Sequence, residues 1–218
     1  MSSSPQRHSS MWNSSLASLR SCAPKPPATH SAGRRHRNAL RAIVAEHGVV
    51  LVRGLGLRDA AATTAVFRRL ATTLMSEKEA FARPQVYAAG VYSSASWPAN
   101  QQMCMHHELS YRLEVPSLML FACLGAPTRG GATAVRDSPT VLTPASRSPS
   151  EHSARAEIVE LINAVYEDNT VREPWQAGDL MLIDNVRTAH TRGAYEGPRS
   201  ARWDGRPGTP GRLLANRP

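Results

Sequence analysis

The sequence predicts an α+β domain in which short buried strands form the core and helices flank them. Three apolar runs bounded by turn residues, at 49–52, 118–124 and 180–183, have the length and composition of buried strands. Two further stretches, at 37–48 and 154–169, carry apolar residues at helical spacing. A chain of 218 residues is long enough for one domain with a substantial core and only marginally long enough for two.

The N-terminal part of the domain is expected to alternate helix and strand. The first helix is expected to begin near Arg37 and to end at Gly48, because a glycine placed there can cap the helix with a positive φ. The strand at 49–52 follows at once. Asp59 is a residue type that caps helix N-termini, so a second helix is expected from there to about Leu74.

The middle of the chain is expected to consist of loops and strands. Residues 84–102 show no clean periodicity and predict a loop, either alone or with one strand in it. Pro116 precedes the buried run at 118–124, and the Gly130-Gly131 pair predicts a turn with positive φ. A strand is expected to resume at Ala134.

The second half of the chain contains a break in the regular pattern. Residues 138–153 are rich in Ser, Pro and Thr without periodicity, which predicts a linker. The helix at 154–169 follows it. A Gly-Asp turn at 178–179 then leads into the strand at 180–183, and His190 lies just beyond that strand.

The charge of the chain is concentrated at its ends. The net charge is +9 with a pI of about 10.3, and no acidic residue precedes Glu46. Residues 1–36 and 200–218 are rich in Arg, Pro and Ser or Gly, which predicts disordered basic tails. A basic nucleic-acid-binding module is therefore an alternative interpretation. The aromatic residues that stack on bases are scarce in both tails, where Trp12 and Trp203 stand almost alone, and this makes nucleic acid an unlikely partner.

The cysteines and the hydropathy suggest a cytoplasmic protein without a membrane span. Cys22, Cys104 and Cys123 show no CxxC spacing, so neither a zinc knuckle nor a disulfide framework is expected, and a reducing compartment fits best. No run approaches the roughly 18 apolar residues that a spanning helix needs.

The strongest chemical signal is the segment Met-His-His-Glu at 105–108. Residues two apart in an extended chain point to the same face, so His106 and Glu108 could reach one metal ion while His107 points away. His190 is the best candidate for a second histidine. Two histidines and one carboxylate form the facial triad of non-haem iron sites. Alone, the histidine–glutamate pair could equally be a surface pair, and His190 a packed or solvent-facing histidine.

Two further residues could bind a carboxylate. Arg199 follows His190 along the chain, and a guanidinium can bind a carboxylate with two hydrogen bonds. Thr133 closes the Gly-Gly-Ala-Thr loop and could donate its hydroxyl hydrogen to the same group. A solvated arginine and a turn-capping threonine are the plain alternatives.

Four segments, taken together, resemble one known family. They are His106-His-Glu-Leu-Ser-Tyr, Val115-Pro-Ser-Leu-Met-Leu-Phe-Ala-Cys, Gly130-Gly-Ala-Thr-Ala-Val-Arg-Asp and Trp175-Gln-Ala-Gly-Asp-Leu-Met-Leu-Ile-Asp-Asn-Val-Arg-Thr-Ala-His. In this order they are similar to the taurine-dioxygenase and clavaminate-synthase-like (TauD/TfdA) superfamily of Fe(II)- and 2-oxoglutarate-dependent dioxygenases. The resemblance covers about residues 37–199 and implies a double-stranded β-helix, or jelly roll, with flanking helices.

The resemblance also implies roles for particular residues. The implied iron ligands are His106, Glu108 and His190. The implied ligands of the distal carboxylate of 2-oxoglutarate are Thr133 and Arg199, with Arg202 as a weaker alternative to Arg199. Leu118, Leu120 and Phe121 would form a hydrophobic wall that keeps water from the reaction.

The family resemblance further implies a reaction. 2-Oxoglutarate is decarboxylated to succinate and CO2, O2 is consumed, and an unactivated C–H bond of a small substrate is hydroxylated. The glutamate of the triad and the Leu-Ser-Tyr after it are most similar to the branch that acts on free or carrier-bound amino acids. A halogenase would need a small residue in place of Glu108, so that second reaction is disfavoured.

The chain also departs from the family pattern. The connection at 137–154 is too short and too rich in Ser and Pro for the barrel strands that the family places there. After residue 199 a β-branched strand is expected, and Ser200-Ala-Arg-Trp-Asp-Gly follows instead. A truncated or internally deleted homologue with an incomplete barrel is therefore expected, and such a chain could lack activity.

Overall fold

The computed structural model describes residues 30–71, 73–75, 86–94, 97–138, 170–197 and 212–217, and in 30–35 and 212–217 only the backbone. Several sequence predictions lie outside these residues. They are the tail at 1–29, most of the linker at 138–153, the helix at 154–169, and both Arg199 and Arg202.

The described residues form two helices and eleven strands. The helices are α1 (His30–His47) and α2 (Ala60–Leu70). The strands are β1 (Val49–Val52), β2 (Val86–Ala88), β3 (Val91–Ser93), β4 (Leu118–Cys123), β5 (Arg129–Gly130), β6 (Thr133–Asp137), β7 (Val171–Glu173), β8 (Leu180–Asp184), β9 (Thr188–Arg192), β10 (Tyr195–Glu196) and β11 (Arg212–Arg217).

Helix α1 ends as predicted and begins earlier than predicted. Gly48 has a φ of 76°, and its amide donates to the carbonyl of Val44 at 2.7 Å, which closes the last turn. The backbone is already helical at His30, although the sequence assigns residues 30–36 to a disordered tail. That assignment relied on the absence of apolar periodicity, but a helix that is anchored at one end can propagate into residues without that periodicity.

Helix α2 confirms the predicted N-cap. The Asp59 carboxylate accepts a hydrogen bond from the amide of Ala62 at 2.7 Å. The helix ends at Leu70 rather than near Leu74. Phe67, on the side of the helix that packs against the six-stranded sheet, is fully buried. The predicted helix is therefore present but shorter by its last turn.

The strands assemble into two principal antiparallel sheets. The larger has six strands in the order β1-β8-β4-β11-β3-β2, and the smaller has three in the order β7-β6-β9. An isolated antiparallel bridge joins His106 to His190 at the free side of β9. β10 and β5 form a separate two-stranded ribbon.

β11 lies in the stretch predicted to be a disordered tail. Its backbone pairs with β4 on one side and with β3 on the other, so it fills the space between two strands that would otherwise expose unpaired edges. The prediction of disorder does not hold for residues 212–217. The composition of this segment does not reveal the strand, because the hydrogen bonds between paired strands come from the backbone and require only a segment without proline.

Two apolar clusters lie on opposite faces of the six-stranded sheet. The outer cluster packs the sheet against α1 and α2 through residues such as Val50, Leu120 and Phe67. The inner cluster lies between the two principal sheets and includes Phe121, Met181, Val135 and Trp175. The site described next lies on the inner side. Among the described helices, none combines the length and the apolar character needed to cross a membrane.

Candidate metal centre

His106, Glu108 and His190 meet at the inner face of the smaller sheet. One ligand atom from each lies within 4.8 Å of the others. The Glu108 carboxylate oxygen Oε2 is 3.8 Å from Nε2 of His106 and 3.9 Å from Nε2 of His190. Two imidazole nitrogens and one carboxylate oxygen that converge in this way are the donor set of a facial triad.

A backbone contact orients the ring of His106 for metal binding. Its Nδ1 lies 2.8 Å from the carbonyl oxygen of Cys104. A carbonyl can only accept, so Nδ1 carries the hydrogen and donates it, which leaves the lone pair on Nε2. Nε2 is the nitrogen that faces Glu108, so the tautomer favours a metal ligand there.

His190 is held by the sheet itself. It lies beyond β8, as predicted, in the middle of β9 and opposite Val135 of β6, and it exchanges two backbone hydrogen bonds with His106 at 3.0 and 2.9 Å. The His106 ring and the edge of Phe121 lie beside its imidazole, with ring centroids at 4.5 and 5.4 Å. Only 5% of His190 is exposed, so its position is fixed on every side.

Glu108 lies in a turn and is held by one side chain. The next residue, Leu109, has a φ of 55°, which is unusual for a residue with a branched side chain. The amide oxygen of Asn185 accepts from the Glu108 amide at 2.7 Å. The amide nitrogen of Asn185 donates to the Glu108 carbonyl at 3.0 Å and to the Pro116 carbonyl at 2.9 Å. The Asn185 side chain therefore fixes the peptide groups on both sides of Glu108.

His107 braces the same turn from the opposite side. Its Nδ1 donates to the carbonyl of Asn185 at 2.6 Å, and its Nε2 accepts from the hydroxyl of Ser138 at 3.1 Å. It points away from the triad, as the sequence predicts. Its contacts link the ligand segment to the end of β8 and to the residue that follows β6.

Thr133 lies on the inner face of the smaller sheet and is 1% exposed. Its hydroxyl oxygen accepts a hydrogen bond from the indole nitrogen of Trp175 at 3.0 Å. Its backbone register is opposite Arg192 of β9 and Glu173 of β7. Glu173 is bound by Arg53 at 3.1 Å, so a counter-ion for this acid is already present.

Arg192 is buried close to the triad. It follows His190 by two residues in β9, and its Nη2 donates to the carbonyls of Pro98 and Gln101, both at 2.9 Å. Its guanidinium carbon lies 4.8 Å from the centroid of the Tyr195 ring. Burial lowers the pKa of Arg192 from its usual value.

A second arginine connects the site to helix α1. Arg187 binds the Asp137 carboxylate at 2.5 Å and donates to the carbonyls of Ala45 and Glu46 at the end of α1, at 3.1 and 2.8 Å. The hydrogen bond to Asp137 is the main reason that the pKa of Arg187 is raised. The hydrogen bonds of Arg187 to Ala45 and Glu46 place a positive charge at the C-terminus of α1, where a cation stabilises the helix.

The predicted hydrophobic wall is wrong for two of its three members. Phe121 contacts His190 and belongs to the inner cluster. Leu118 and Leu120 belong to the outer cluster, because side chains two apart in β4 share a face and Phe121 lies on the opposite one. The described inner face instead presents Met119 and Cys123 beside Phe121.

The structure brings together three of the predicted site residues, His106, Glu108 and His190, and it places Thr133 on the same sheet, two residues along β6 from the partner of His190. Arg199 and Arg202 lie outside the described residues. Asn185, His107 and Arg192 were not predicted as functional residues. Arg212, at the start of β11, is also new, since its backbone is in register with Cys123 of the inner cluster.

The chain resembles known oxygenases in sequence. Taken together, residues 25–148 and 143–203 match the model of the taurine catabolism dioxygenase TauD, TfdA family, and the two matched segments meet inside the predicted linker at 138–153. The dapdiamide synthesis protein DdaC of Enterobacter agglomerans is 29% identical over 101 residues. That match covers 46% of this chain and spans only 31% of the length of DdaC.

The fold resembles solved oxygenase structures. PvcB, described as an Fe, alpha-ketoglutarate dependent oxygenase from an isonitrile synthetic pathway, aligns with a TM-score of 0.58 and 16% identity over 85% of this chain and 80% of that one. Asparagine oxygenase, solved with Fe(II), 3-hydroxyasparagine and succinate, aligns with a TM-score of 0.56 and 15% identity over 97% and 91% of the two chains.

These likenesses confirm the predicted jelly-roll fold. The family match extends over most of the chain and agrees with the resemblance that the four motifs carry, including its use of iron and 2-oxoglutarate. The chain belongs to the taurine catabolism dioxygenase TauD, TfdA family.

Proposed function

We propose that His106, Glu108 and His190 bind one Fe(II) ion and that the protein is a 2-oxoglutarate-dependent oxygenase. The convergence of Nε2, Oε2 and Nε2 within 4.8 Å is the observation that carries this proposal. The His106 tautomer set by the Cys104 carbonyl supports it, because it presents a lone pair to the ion.

When bound, iron and 2-oxoglutarate supply the oxidising power for hydroxylation of an unactivated C–H bond, with succinate and CO2 as the other products. The chain's own residues hold the ligands and limit the access of water. Glu108 contributes the negative charge that partly balances the cation. Phe121 and the buried face around His190 exclude water from one side of the centre.

The distal carboxylate of 2-oxoglutarate is proposed to bind near Thr133. The Thr133 hydroxyl accepts from Trp175, so its own hydrogen remains available to a carboxylate. The arginine partners proposed from the sequence are Arg199 and Arg202. The backbone register of Arg212 adds a third candidate among the later arginines.

The substrate is proposed to be a free or carrier-bound amino acid. Similarity to asparagine oxygenase and to OrfP, which was solved with a hydroxyarginine, supports this class. We also propose that the protein acts in the cytoplasm, since neither Cys104 nor Cys123 forms a disulfide in the part of the chain that the structure describes.

Turnover of 2-oxoglutarate tests the proposed function. Purified protein is incubated with Fe(II), ascorbate, O2 and 2-oxoglutarate, with and without each of the twenty common amino acids, and succinate is measured. At least one amino acid should raise succinate formation and gain the mass of one oxygen atom. Glu108→Ala should abolish both products. Succinate formation that is unchanged in Glu108→Ala would contradict the site.

A further inference from the structure

The turn between β8 and β9, residues 185–187, lies beside the metal centre and contains Asn185. The Asn185 side chain bonds both the amide and the carbonyl of Glu108, at 2.7 and 3.0 Å. These bonds hold Glu108 in place only if Asn185 itself is held in place. The position of the carboxylate ligand therefore depends on the contacts that fix the β8–β9 turn.

The Arg187 side chain connects this turn to two other elements. Its Nε donates to the Asp137 carboxylate at the end of β6, and its Nη1 donates to the carbonyls of Ala45 and Glu46 in the last turn of α1. The side chain is 32% exposed. Because a guanidinium presents its donors in a rigid planar fork, these three acceptors fix the orientation of Arg187 more tightly than one hydrogen bond could.

The residues that flank the turn are bonded to the same end of α1. The Gly48 carbonyl, directly after the helix, accepts from the Asp184 amide at 2.8 Å and from the Thr188 hydroxyl at 3.3 Å. The Asp184 carboxylate in turn accepts from the amides of Val186 and Arg187, both at 3.0 Å. The C-terminus of α1 therefore anchors the turn at both of its ends, and Arg187 anchors it from within.

The backbone of Arg187 also supports the second contact that braces the ligand segment. Its carbonyl accepts from the Ser138 amide at 2.9 Å, and the Ser138 hydroxyl donates to Nε2 of His107 at 3.1 Å. His107 directly precedes Glu108 in the chain. Both braces of the ligand, Asn185 and His107, thus lead back to Arg187.

We propose that Arg187 is a positioning residue for Glu108, acting through the β8–β9 turn and its Asn185 side chain. The inference rests on the proposed function, because it assumes that Glu108 binds a metal ion. Asp137 and the end of α1 provide the anchor, and Asn185 transmits the constraint to the ligand. The plain alternative is a cation that only stabilises the end of α1, and such a cation would leave the metal affinity of the folded protein unchanged.

Titration of the folded protein with Co(II), followed by visible absorption, distinguishes the two roles. Arg187→Met removes the guanidinium and keeps much of the aliphatic side chain. Its Co(II) affinity should fall about 5- to 20-fold, less than in Asn185→Ala, because Arg187 acts one contact further from the ligand. Arg187→Lys keeps the charge beside Asp137 without the planar fork and should recover part of the affinity. Wild-type affinity in Arg187→Met, with folding shown by circular dichroism, would overturn the proposal.

Arg53→Met is the matched control. Arg53 binds the Glu173 carboxylate at 3.1 Å and the Pro174 carbonyl at 3.0 Å, and its side chain is 16% exposed. Its replacement removes a similar ion pair from a part of the domain away from the β8–β9 turn. Co(II) affinity should then stay within about 2-fold of the wild-type value. Equal losses of affinity in Arg53→Met and Arg187→Met would indicate general destabilisation and would refute the positioning role.

A double-mutant cycle tests the route through Asn185. In the Asn185→Ala background this route is already broken, so adding Arg187→Met should lower Co(II) affinity by at most about a further 2-fold. A combined loss equal to the product of the two single losses would show that Arg187 acts independently of Asn185, and the proposal would fail.

Hydrogen exchange in the metal-free protein tests the positioning role without any metal. The Glu108 amide donates to Asn185, whereas the Cys123 amide donates to the Asp179 carbonyl. Arg187→Met should speed exchange of the Glu108 amide about 5- to 20-fold relative to that of Cys123. A wild-type protein that binds no Co(II) would contradict the proposed function, and unchanged Glu108 exchange in Arg187→Met would contradict the role of Arg187. The two failures are therefore distinguishable.

Discussion

The two sides of the triad are held in contrasting ways. His190 lies within a strand, is paired on both sides and is 5% exposed. Glu108 lies in a turn, its side chain is 25% exposed, and the Asn185 side chain fixes the peptide groups on either side of it. The position of His190 is therefore fixed by several contacts within the sheet, whereas the position of Glu108 depends largely on the side-chain amide of Asn185.

Because of this difference, changes at His190 and at Glu108 should affect folding stability and metal affinity to different extents. A change at His190 disturbs the buried face as well as the centre, so folding and metal affinity should both respond. A change at or next to Glu108 should lower metal affinity with less effect on the buried core. The following variants test that contrast, starting with the largest expected effect.

Replacement of either His190 or Glu108 should abolish iron binding. His190→Ala and Glu108→Ala should both lose the Fe(II)-dependent band with 2-oxoglutarate. His190→Ala should also lower the free energy of unfolding by about 1–3 kcal/mol, because it leaves buried neighbours without a packing partner. Glu108→Ala should change it by less than about 1 kcal/mol. Urea unfolding measures both, and equal losses in the two variants would remove the contrast.

Removal of the Asn185 amide should weaken metal binding without touching a ligand. Asn185→Ala leaves the peptide groups beside Glu108 and the Pro116 carbonyl without their side-chain partner. Fe(II) affinity should fall about 10- to 100-fold, the range seen when groups behind a ligand are lost. A titration with Co(II) in place of Fe(II), followed by visible absorption, measures the change in metal affinity. Asn185→Asp keeps the acceptor and loses the donor, so it should fall between the wild type and Asn185→Ala.

His107 braces the same turn from outside, and its loss should have a smaller effect. His107→Ala removes the hydrogen bond to the Asn185 carbonyl and the contact with Ser138. Metal affinity should fall only a few-fold, since each such bond contributes about 1 kcal/mol. The Ser138→Ala variant loses one of these two contacts and should be milder still. A loss as large as that of Glu108→Ala would identify His107 as a ligand.

Trp175→Phe should have the smallest effect on the metal. It removes the indole donor to Thr133 and keeps most of the ring in the inner cluster. Stability should fall by about 1 kcal/mol with Co(II) affinity unchanged. A drop in Co(II) affinity would show that the inner cluster, and not the turn alone, sets the geometry of the triad.

Much of the site could be predicted from local sequence rules. The spacing of His106 and Glu108 was informative even though Glu108 lies in a turn. The same two-residue rule, applied to His190, places Arg192 on the same face of β9. Asn185 could not be found in this way, because its partner Glu108 is 77 residues away and only the fold joins them.

The fold likewise contains elements that local sequence rules predict and elements that they do not. Buried strands such as β1, β4 and β8 were visible in their apolar runs, and the cap at Asp59 was visible in its residue type. β11 was missed because its strand character comes from the edges it pairs with rather than from its own composition. Which face Leu120 takes was likewise settled by the packing of the helices on one side of the sheet.

Anaerobic titration with Fe(II) and 2-oxoglutarate tests the central claim most directly. The wild-type protein should develop the weak visible charge-transfer band at one equivalent of Fe(II), and only when 2-oxoglutarate is also present. Glu108→Ala should fold and show no band. A well-folded wild-type protein without the band, or a band of equal strength in Glu108→Ala, would contradict the assignment of His106, Glu108 and His190 as the iron ligands.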